Sequence, residues 1–385
     1  MPNFLPGSHP QVLPRLDDSP SRLRVLFLTL YPETLPSSRL RVYQYLPSLA
    51  AQGIEAEVMP ALTEPFFSRA YYSKSKWMGF LQYSTEFLRA LERILKSRGR
   101  DLVFVQKGIS LVNFVGLDRL LGWANPRLVF DLDDAVYGAN LVEFRSPWLR
   151  RLQDRNQTVE LSRKSLAVIA GNSYLKNLAL QYNRRVYVVP TPVDTDRIFP
   201  NDRRLRDSNE EIVIGWLGTG AGLEYFSLVK EALQKISARY RIRLRWVTLL
   251  TGAAYVLDGV KVETVNWELK NESKDMNQFD IAINPLFDAP WERGKCSLKL
   301  LQYMAAGLPT VSSRAGMNCE VVKEGVDGFL AGSTEEWIEK LSRLIEDPGL
   351  RKRMGQAARE KVVRDFSLKK TAVSLAQILK EAARS

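Results

Sequence analysis

The chain has 385 residues, of which 45% are hydrophobic and 25% charged, and its formal net charge is +12. This length and composition predict a globular protein of two domains and exclude a fibrous or intrinsically disordered chain. The single histidine is His9, which excludes Ser-His-Asp catalysis, a histidine general base and most zinc sites, while the two cysteines, Cys296 and Cys319, are too few for a disulfide framework.

The start of the chain and its charge bear on where the protein works. Residues 1–22 lack the basic-then-apolar pattern of a secretory signal, and we expect them to be a flexible lead into a cytoplasmic protein. No apolar run reaches the roughly 20 residues that span a bilayer. The positive charge fits solvated surface lysines, an anionic substrate or an anionic membrane face, and we expect no nucleic-acid partner. A peripheral position at the inner face of a membrane is therefore an open alternative.

The first half of the sequence alternates short apolar runs with longer helical segments. The runs are rich in β-branched residues and predict parallel strands that are buried on both faces. They are residues 24–30, 55–59, 101–106, 127–132, 166–170 and 186–190. The predicted helices between them are residues 38–52, 77–97, 147–164 and 172–182. This βαβ alternation indicates a Rossmann-like domain over residues 23–192, where we expect an acceptor to bind.

A polar stretch without periodicity, residues 193–211, is predicted to link this domain to a second one over residues 212–366. The predicted strands there are residues 212–217, 243–250, 260–265, 280–286, 310–313 and 328–331. Helices are predicted over residues 223–238 and 273–279, and three more begin near Ser333, Pro348 and Ser367. We expect the last helix, residues 367–385, to pack back on the first domain. The predicted fold class is α/β, with two Rossmann-like doubly wound domains facing each other across a cleft.

The segment GKCSLKLLQYMAAGLPTVSS, residues 294–313, predicts an anion site at the start of a helix. Ser297 is a suitable N-cap, and Gly307 ends the helical run. The free amide groups of a helix N-terminus attract anions, and the preceding apolar run places this N-terminus at the carboxyl end of a strand. Because Lys295 and Lys299 add two positive charges, a phosphate or diphosphate is the ligand that this arrangement favours.

This segment resembles the nucleotide-sugar-binding segment of glycosyltransferase family 4, whose members have the GT-B fold. The resemblance covers most of the chain and includes SSRLRVYQYLPSLAAQGIEAEV (37–58), VFDLDDAVY (129–137), IAGNSYLKNLALQYNRRVYVVPTPVD (169–194), IGWLGTGAGLEYF (214–226), FDIAINPL (279–286) and the run at 325–362. It implies retaining, metal-independent transfer of a sugar from a nucleotide diphosphate-sugar, with no cofactor, to a glycan or lipid-linked acceptor. We expect the product to be a cell-surface polysaccharide or a similar glycan.

The resemblance also implies which residues bind the donor. They are Gly218, Thr219, Gly220, Trp267, Glu268, Lys295, Cys296, Ser297, Leu298, Lys299 and Gln302. Many family members carry two glutamates eight residues apart around the helix; the second position is Gln302 here, and its amide is still able to bind a ribose hydroxyl. The first position is Gly294, so Glu292 and Glu320 are the candidates for its role. Trp267 is equally well explained as a packed core residue.

Charged residues of the first half are predicted to face the cleft from the acceptor side. Asp133 and Asp134 follow a predicted strand, where they either orient or deprotonate an acceptor hydroxyl or cap a turn. Arg39 lies in the first turn of a predicted helix, where a cation is unfavourable unless it meets an anion, either a phosphate or a surface carboxylate. We therefore predict Asp133, Asp134, Arg39 and Lys299 as catalytic residues.

Other functions stay open at this point. Asp131 and Asp133 form an Asp-x-Asp pattern that binds Mn²⁺ or Mg²⁺ in a different glycosyltransferase fold, although we expect no metal site here. A nucleotide-sugar epimerase is disfavoured because the cleft has few acid and base groups. A catalytically silent nucleotide-sugar-binding partner of another transferase is the second alternative. The basic and aromatic stretch at 66–100 either packs inside the domain or meets an anionic membrane.

Overall fold

The computed structural model describes residues 22–62, 76–135, 149–201, 206–207, 209–218, 220–249 and 255–385. Nearly all of the predicted lead at 1–22, part of the predicted linker and the predicted donor-binding residue Thr219 lie outside these ranges. The basic and aromatic stretch at 66–100 is described from residue 76 onward.

The first domain is built on a parallel sheet of six strands in the order β2-β1-β3-β4-β5-β6. The strands are β1 Leu23–Thr29, β2 Ile54–Pro60, β3 Leu102–Gln106, β4 Leu128–Leu132, β5 Ala167–Ala170 and β6 Val186–Val188. Every residue of β3, β4 and β5 is buried, as expected for strands covered by helices on both faces. The direction of winding reverses between β1 and β3, so a ligand site is expected beyond their carboxyl ends.

The second domain repeats this architecture with the order β12-β11-β10-β7-β8-β9. Its strands are β7 Ile212–Leu217, β8 Ile242–Thr248, β9 Lys261–Asn266, β10 Ile281–Asn284, β11 Thr310–Ser313 and β12 Phe329–Ala331. Here the winding reverses between β7 and β10. The predicted α/β fold of two doubly wound domains facing across a cleft is confirmed, and each predicted strand lies within two residues of an observed one.

The α-helices in the described part of the chain are numbered in order. They are α1 Pro36–Arg41, α2 Leu46–Ala51, α3 Lys76–Lys96, α4 Leu117–Ala124, α5 Gln157–Lys164, α6 Ser173–Ala179, α7 Lys230–Ser237, α8 Glu272–Met276, α9 Pro290–Arg293, α10 Leu298–Ala305, α11 Asn318–Val321, α12 Thr334–Glu346, α13 Pro348–Asp365 and α14 Leu368–Arg384. None of them is long and apolar enough to cross a membrane.

Three predicted helices are interrupted. The helix predicted at 147–164 consists, in its described part, of a 3₁₀ helix, Leu149–Leu152, followed by α5. The helix predicted at 38–52 is divided into α1, a 3₁₀ turn at Tyr43–Tyr45 and α2, because Pro47 has no N–H to donate to the preceding turn. The helix predicted at 223–238 begins instead as a 3₁₀ helix, Gly220–Leu228, which continues into α7. Helix α4 was not predicted at all.

The last helix, α14, packs on the first domain. Its apolar side chains Leu375 and Leu379 are buried in one cluster with Val25 and Phe27 of β1. The chain enters the helix through a short parallel bridge between Val193 and Ser367. The chain therefore passes between the two domains twice, once before β7 and once before α14.

The carboxyl ends of the two sheets also meet directly. The side-chain amide of Asn172 donates to the backbone carbonyls of Arg293 at 3.0 Å and Lys295 at 3.1 Å. The Cys296 thiol donates to the backbone carbonyl of Asp133 at 3.3 Å. These bonds hold the loop before α10 against the ends of β4 and β5, which fixes the shape of the cleft.

Candidate functional site

A cavity of about 600 Å³ lies between the domains, at the switch points of both sheets. The loops that follow β1, β4, β7 and β10 line it, together with the start of α10. It brings together seven of the predicted site residues: Asp133, Asp134, Lys295, Cys296, Ser297, Leu298 and Lys299. The others, apart from Thr219 and Gly220, do not line the cavity: Arg39, Gly218, Trp267, Glu268 and Gln302.

On the side of the second domain, Lys295 and Lys299 form what we call the lysine wall. The Lys299 ammonium lies over the Trp216 ring, with Nζ 4.5 Å from the ring centroid. Within the described ranges it has no carboxylate within ion-pair distance, and burial together with the charge of Lys295 lowers the pKa of Lys299 to about 8. A lowered lysine pKa means that the site disfavours the ammonium until a negative charge arrives.

Glycines make room for this lysine. A Cβ atom at Gly218 would lie 2.3 Å from the Trp216 ring and 3.0 Å from Lys299 Nζ, and one at Gly222 would lie 2.7 Å from the same ring. Trp216 is fully buried and packs against Trp246, with their centroids 4.3 Å apart, so it cannot move aside. Gly218 therefore leaves the space that the Trp216 ring and the Lys299 ammonium occupy, and Gly222 lines the cavity.

Ser297 occupies the predicted N-cap position of α10, but its side chain does not cap the helix. Ser297 has a left-handed backbone, with φ at +46°, and its hydroxyl donates to Asn318 Oδ1 at 2.9 Å instead of capping the helix. Asn318 also receives a hydrogen bond from Asn284 at 3.1 Å. The first turn of α10 consequently has no side-chain cap at the wall of the cavity, which leaves its amide groups available to an anion.

On the side of the first domain, Asp133 and Asp134 form the carboxylate wall. Both are ion-paired to Lys107, a buried residue that follows β3 with φ at +63°. The Lys107 ammonium is 3.4 Å from Asp133 Oδ1, and the Ser37 hydroxyl donates to Asp133 Oδ2 at 3.1 Å. Burial raises the pKa of Asp134, while Lys107 opposes this shift.

A second ion pair lies behind this wall. Asp131 and Arg41 are both almost fully buried and form a two-pronged pair, with Nε 3.1 Å from Oδ2. Arg41 also donates to the backbone carbonyl of Val189 at 2.8 Å. Both carboxylates of the Asp-x-Asp pattern are thus ion-paired to a basic side chain, Asp131 to Arg41 and Asp133 to Lys107. Across the described ranges, no group of three or more His, Cys, Asp or Glu side chains is arranged to hold a metal ion.

Arg39 lies away from the cavity, and Arg41 lines it in its place. The Arg39 guanidinium donates to the backbone carbonyl of Thr34 at 3.3 Å. Among the neighbouring charges, Glu272 of α8 has the largest effect on the pKa of Arg39. A contact between Arg39 and a phosphate within this cavity is not supported by this placement.

The predicted base and ribose contacts also lie outside the cavity. Trp267 is partly buried against the core, Glu268 pairs with the exposed Lys270 at 3.2 Å, and Gln302 is buried within α10. Helix α10 is buried on nearly all sides from Leu300 to Ala305, so Gln302 does not face solvent. The roles assigned to these residues stay predictions.

Neither candidate for the first family glutamate lines the cavity. Glu292 is buried and accepts a hydrogen bond from Tyr225 at 2.9 Å, and Glu320 accepts one from Ser173 of the first domain at 2.7 Å. The residues that sequence reasoning missed are Lys107, Arg41 and Tyr225. Lys107 was detectable, because it directly follows a predicted strand; the other two carry no comparable local signal.

Known proteins resemble parts of this chain in sequence. Residues 281–361 match the family described as "Glycosyl transferases group 1". The chain is 33% identical over 92 residues to N-acetyl-alpha-D-glucosaminyl L-malate synthase of Bacillus anthracis, covering 23% of this chain and 24% of that protein. It is 37% identical over 84 residues to sulfoquinovosyl transferase SQD2 of Arabidopsis thaliana, covering 20% and 16%. The matched segments thus span a quarter of these relatives or less.

Solved structures resemble the chain over both domains. Sucrose-phosphate synthase of Thermosynechococcus elongatus superposes with a TM-score of 0.67 at 13% identity, covering 94% of this chain and 100% of that one. The fold is GT-B. HepE of Anabaena in complex with UDP gives a TM-score of 0.64 at 16% identity, with 93% and 100% covered. WaaG, a glycosyltransferase of lipopolysaccharide biosynthesis, gives 0.60 at 15%, with 92% and 99% covered.

Proposed function

We propose that this GT-B protein is a glycosyltransferase that moves a sugar from a nucleotide diphosphate-sugar to an acceptor hydroxyl. The observation that carries the proposal is the Lys299 ammonium, which has no carboxylate partner in the described ranges and lies beside Lys295 at an uncapped helix start. A diphosphate supplies the missing negative charge. The matching family is one of glycosyl transferases, and a structural neighbour, HepE, has been solved with UDP and with UDP-glucose.

The two walls divide the chemistry between them. On the lysine wall, Lys295 and Lys299 stabilise the negative charge that develops on the departing nucleoside diphosphate. On the carboxylate wall, Asp133 Oδ1 is buried without a hydrogen bond, so it is available to orient the acceptor hydroxyl or accept its proton. The donor therefore lies against the second domain and the acceptor against the first.

The finer features of the reaction belong to the same proposal. Retention of configuration is proposed from the resemblance to glycosyltransferase family 4. Neutralisation by lysines in place of a metal ion is supported by the pairing of Asp131 with Arg41 and of Asp133 with Lys107. The structural neighbour WaaG is involved in lipopolysaccharide biosynthesis, which supports a cell-surface glycan as the product.

A lipid-linked acceptor at an anionic membrane is supported by one exposed surface of the first domain. The side chains of Leu88, Leu95 and Trp123 are 63%, 58% and 74% exposed, and the Arg98 guanidinium lies 4.6 Å from the Trp123 ring centroid. Aromatic and basic groups together suit the headgroup region of an anionic bilayer. Peripheral attachment at the inner face of the membrane is accordingly part of the proposal.

Two assays test the proposal. Thermal unfolding is measured with UDP-, GDP- and ADP-sugars, and a donor present at 100 times its Kd stabilises the fold by about 2.7 kcal/mol. Release of nucleoside diphosphate from that donor is then followed without acceptor. Slow release supports a transferase. A new sugar isomer indicates an epimerase, and binding without turnover indicates a silent binding partner. The absence of any stabilisation would contradict all three.

A further inference from the structure

Tyr225 lies between the lysine wall and a buried carboxylate. It belongs to the 3₁₀ helix Gly220–Leu228 after β7, is 6% exposed and lines the cavity. Its hydroxyl donates a hydrogen bond to Glu292 Oε1 at 2.9 Å and accepts one from the Lys295 ammonium. Lys295 Nζ also lies 4.7 Å from the centroid of the Tyr225 ring. The Tyr225 side chain therefore contacts the Lys295 ammonium twice, through its hydroxyl and through its ring.

We propose that Tyr225 is a positioning residue that holds the Lys295 ammonium at the cavity wall, with Glu292 fixing the direction of the hydroxyl. The inference rests on the proposed function, in which Lys295 meets the diphosphate of the donor. It adds a residue outside the set that the sequence motifs indicated.

The need for such a residue follows from the lysine side chain. Lysine has a flexible four-carbon stem, and ordering it on binding costs conformational entropy. A direct carboxylate partner would order it but would also cancel the charge that the ligand requires. Glu292 Oε1 is 3.8 Å from Lys295 Nζ, an ion-pair distance that is too long for a hydrogen bond, and the Tyr225 hydroxyl bonds to both. The phenol thus orders the ammonium, while the more distant Glu292 offsets only part of its charge.

Tyr225 is suited to this task because it stays neutral. Burial raises its pKa, and the hydrogen bond to Glu292 raises it further, so the hydroxyl keeps its proton at physiological pH. A neutral hydroxyl that donates to Glu292 has its lone pairs left to accept from Lys295. The direction of the interaction is therefore fixed by the carboxylate behind it.

The parts that meet at Tyr225 are rigid. The Tyr225 ring packs edge-on against Phe287, with centroids 5.2 Å apart at 64°. The backbone of Lys295 donates to the carbonyl of Glu292 at 3.0 Å, and its own carbonyl accepts from Asn172 of the first domain. With both main chains held, the remaining freedom is that of the Lys295 side chain, which Tyr225 restricts.

The test is the variant Tyr225→Phe, which keeps the ring and removes the hydroxyl. Inorganic pyrophosphate is the probe, since it contains no base or sugar, and its binding is measured by titration calorimetry. We expect the affinity to fall about fivefold, as for the loss of one hydrogen bond that orders a charged group. Tyr240→Phe is the matched control, because Tyr240 also donates to a glutamate, Glu346, on the exposed surface of the same domain. It should leave the affinity unchanged.

A double-mutant cycle separates positioning from a general loss of structure. In a Lys295→Met background, Tyr225→Phe should have no further effect on pyrophosphate affinity, because the group that Tyr225 positions is gone. Equal losses in both backgrounds would overturn the positioning role. So would an unchanged affinity in Tyr225→Phe while the unsubstituted protein binds pyrophosphate. If the unsubstituted protein binds neither pyrophosphate nor a nucleoside diphosphate, the proposed function itself fails, and the inference fails with it.

Discussion

The two walls of the cavity handle charge in opposite ways. On the carboxylate wall each described charge already has a partner in its own domain: Asp133 and Asp134 have Lys107, and Asp131 has Arg41. On the lysine wall, Lys295 is held by a neutral phenol with Glu292 3.8 Å away, and Lys299 lies on an indole ring. The three carboxylates of the first domain thus have two basic partners in the absence of ligand, whereas Lys299 has no carboxylate partner in the described ranges.

This difference indicates which wall depends on a ligand. Removing one member of a buried ion pair leaves an uncompensated charge and destabilises the fold. Removing a lysine that lacks an anionic partner leaves no uncompensated charge, so this substitution should lower the affinity for the ligand rather than the stability of the fold. The walls are therefore distinguished by separate measurements of folding stability and of affinity.

The largest expected effect is on the ion pair behind the carboxylate wall. Asp131→Asn should lower the free energy of unfolding by about 3 kcal/mol, because the buried Arg41 guanidinium loses its counter-charge. Urea denaturation measures this loss. Glu231→Gln is the control, since Glu231 pairs with Lys235 on an exposed face of α7, and it should cost less than about 1 kcal/mol. Similar losses in the two variants would contradict the assignment of Asp131 and Arg41 as a structural pair.

The next effect is on the lysine wall. Lys299→Ala should weaken binding of a nucleoside diphosphate about 30-fold, as expected for the loss of a charge-assisted contact, and should weaken binding of the nucleoside far less. Stability should be unchanged or slightly higher, because a lysine with a lowered pKa is no longer buried. Lys235→Ala, which removes an exposed lysine of the same domain, is the control. An equal loss of affinity for the nucleoside diphosphate and for the nucleoside would contradict the role of Lys299 in binding phosphate.

The pH dependence gives a second reading of the same variant. The Lys299 ammonium, with a pKa of about 8, loses its proton between pH 7 and pH 9, a range in which the phosphates are already ionised. Affinity of the unsubstituted protein should therefore fall as the pH rises through this range, and Lys299→Ala should show a flatter curve. The pH affects stability in the opposite direction. Because the unfolded chain binds this proton more tightly than the folded chain, the free energy of unfolding should increase as the pH rises above 8.

The smallest expected effect concerns the contact that brings the walls together. A Cβ atom at Gly171 would lie 2.2 Å from Cys296 Sγ, so Gly171→Ala should push the domains apart. Burial raises the pKa of Cys296 to about 12, so its thiol should react with iodoacetamide about tenfold more slowly than that of the exposed Cys319. In Gly171→Ala this ratio should shrink severalfold, as followed by mass spectrometry.

The control for this substitution is Gly122→Ala, because a Cβ atom there meets nothing within 4 Å. It should leave the relative reactivity of the two cysteines unchanged. An unaltered ratio in Gly171→Ala would show that the close approach of Gly171 and Cys296 does not hold the cleft in this shape.

The strands were predictable because burial on both faces imposes a pattern on the sequence. A parallel strand that is covered by helices on each side must be apolar along its whole length, as Leu128–Leu132 is almost entirely. Helices were less certain, since proline placement and 3₁₀ geometry interrupt them, as at Pro47 and in Gly220–Leu228. The site was predictable only where charge follows a strand or begins a helix, which selected Asp133, Lys295 and Lys299.

The misplaced residues show what local reasoning lacks. Arg39 and Arg41 are two positions apart on α1, about 200° around a helix, and the sequence does not say which of them faces the sheet. Serine is a common N-cap residue, yet the Ser297 hydroxyl donates its hydrogen bond to Asn318, which only tertiary packing brings near. A local rule compares neighbours in sequence, while these contacts join segments that are 21 or more residues apart.

The sequence by itself determined the two doubly wound domains and the positive charge at the start of α10, because hydrophobic periodicity and charge placement are local properties. Only the tertiary structure decided which charges are already neutralised. The partners of Asp131, Asp133 and Lys295 come from helix α1, the loop after β3 and the 3₁₀ helix after β7, and these contacts form only once each domain has folded.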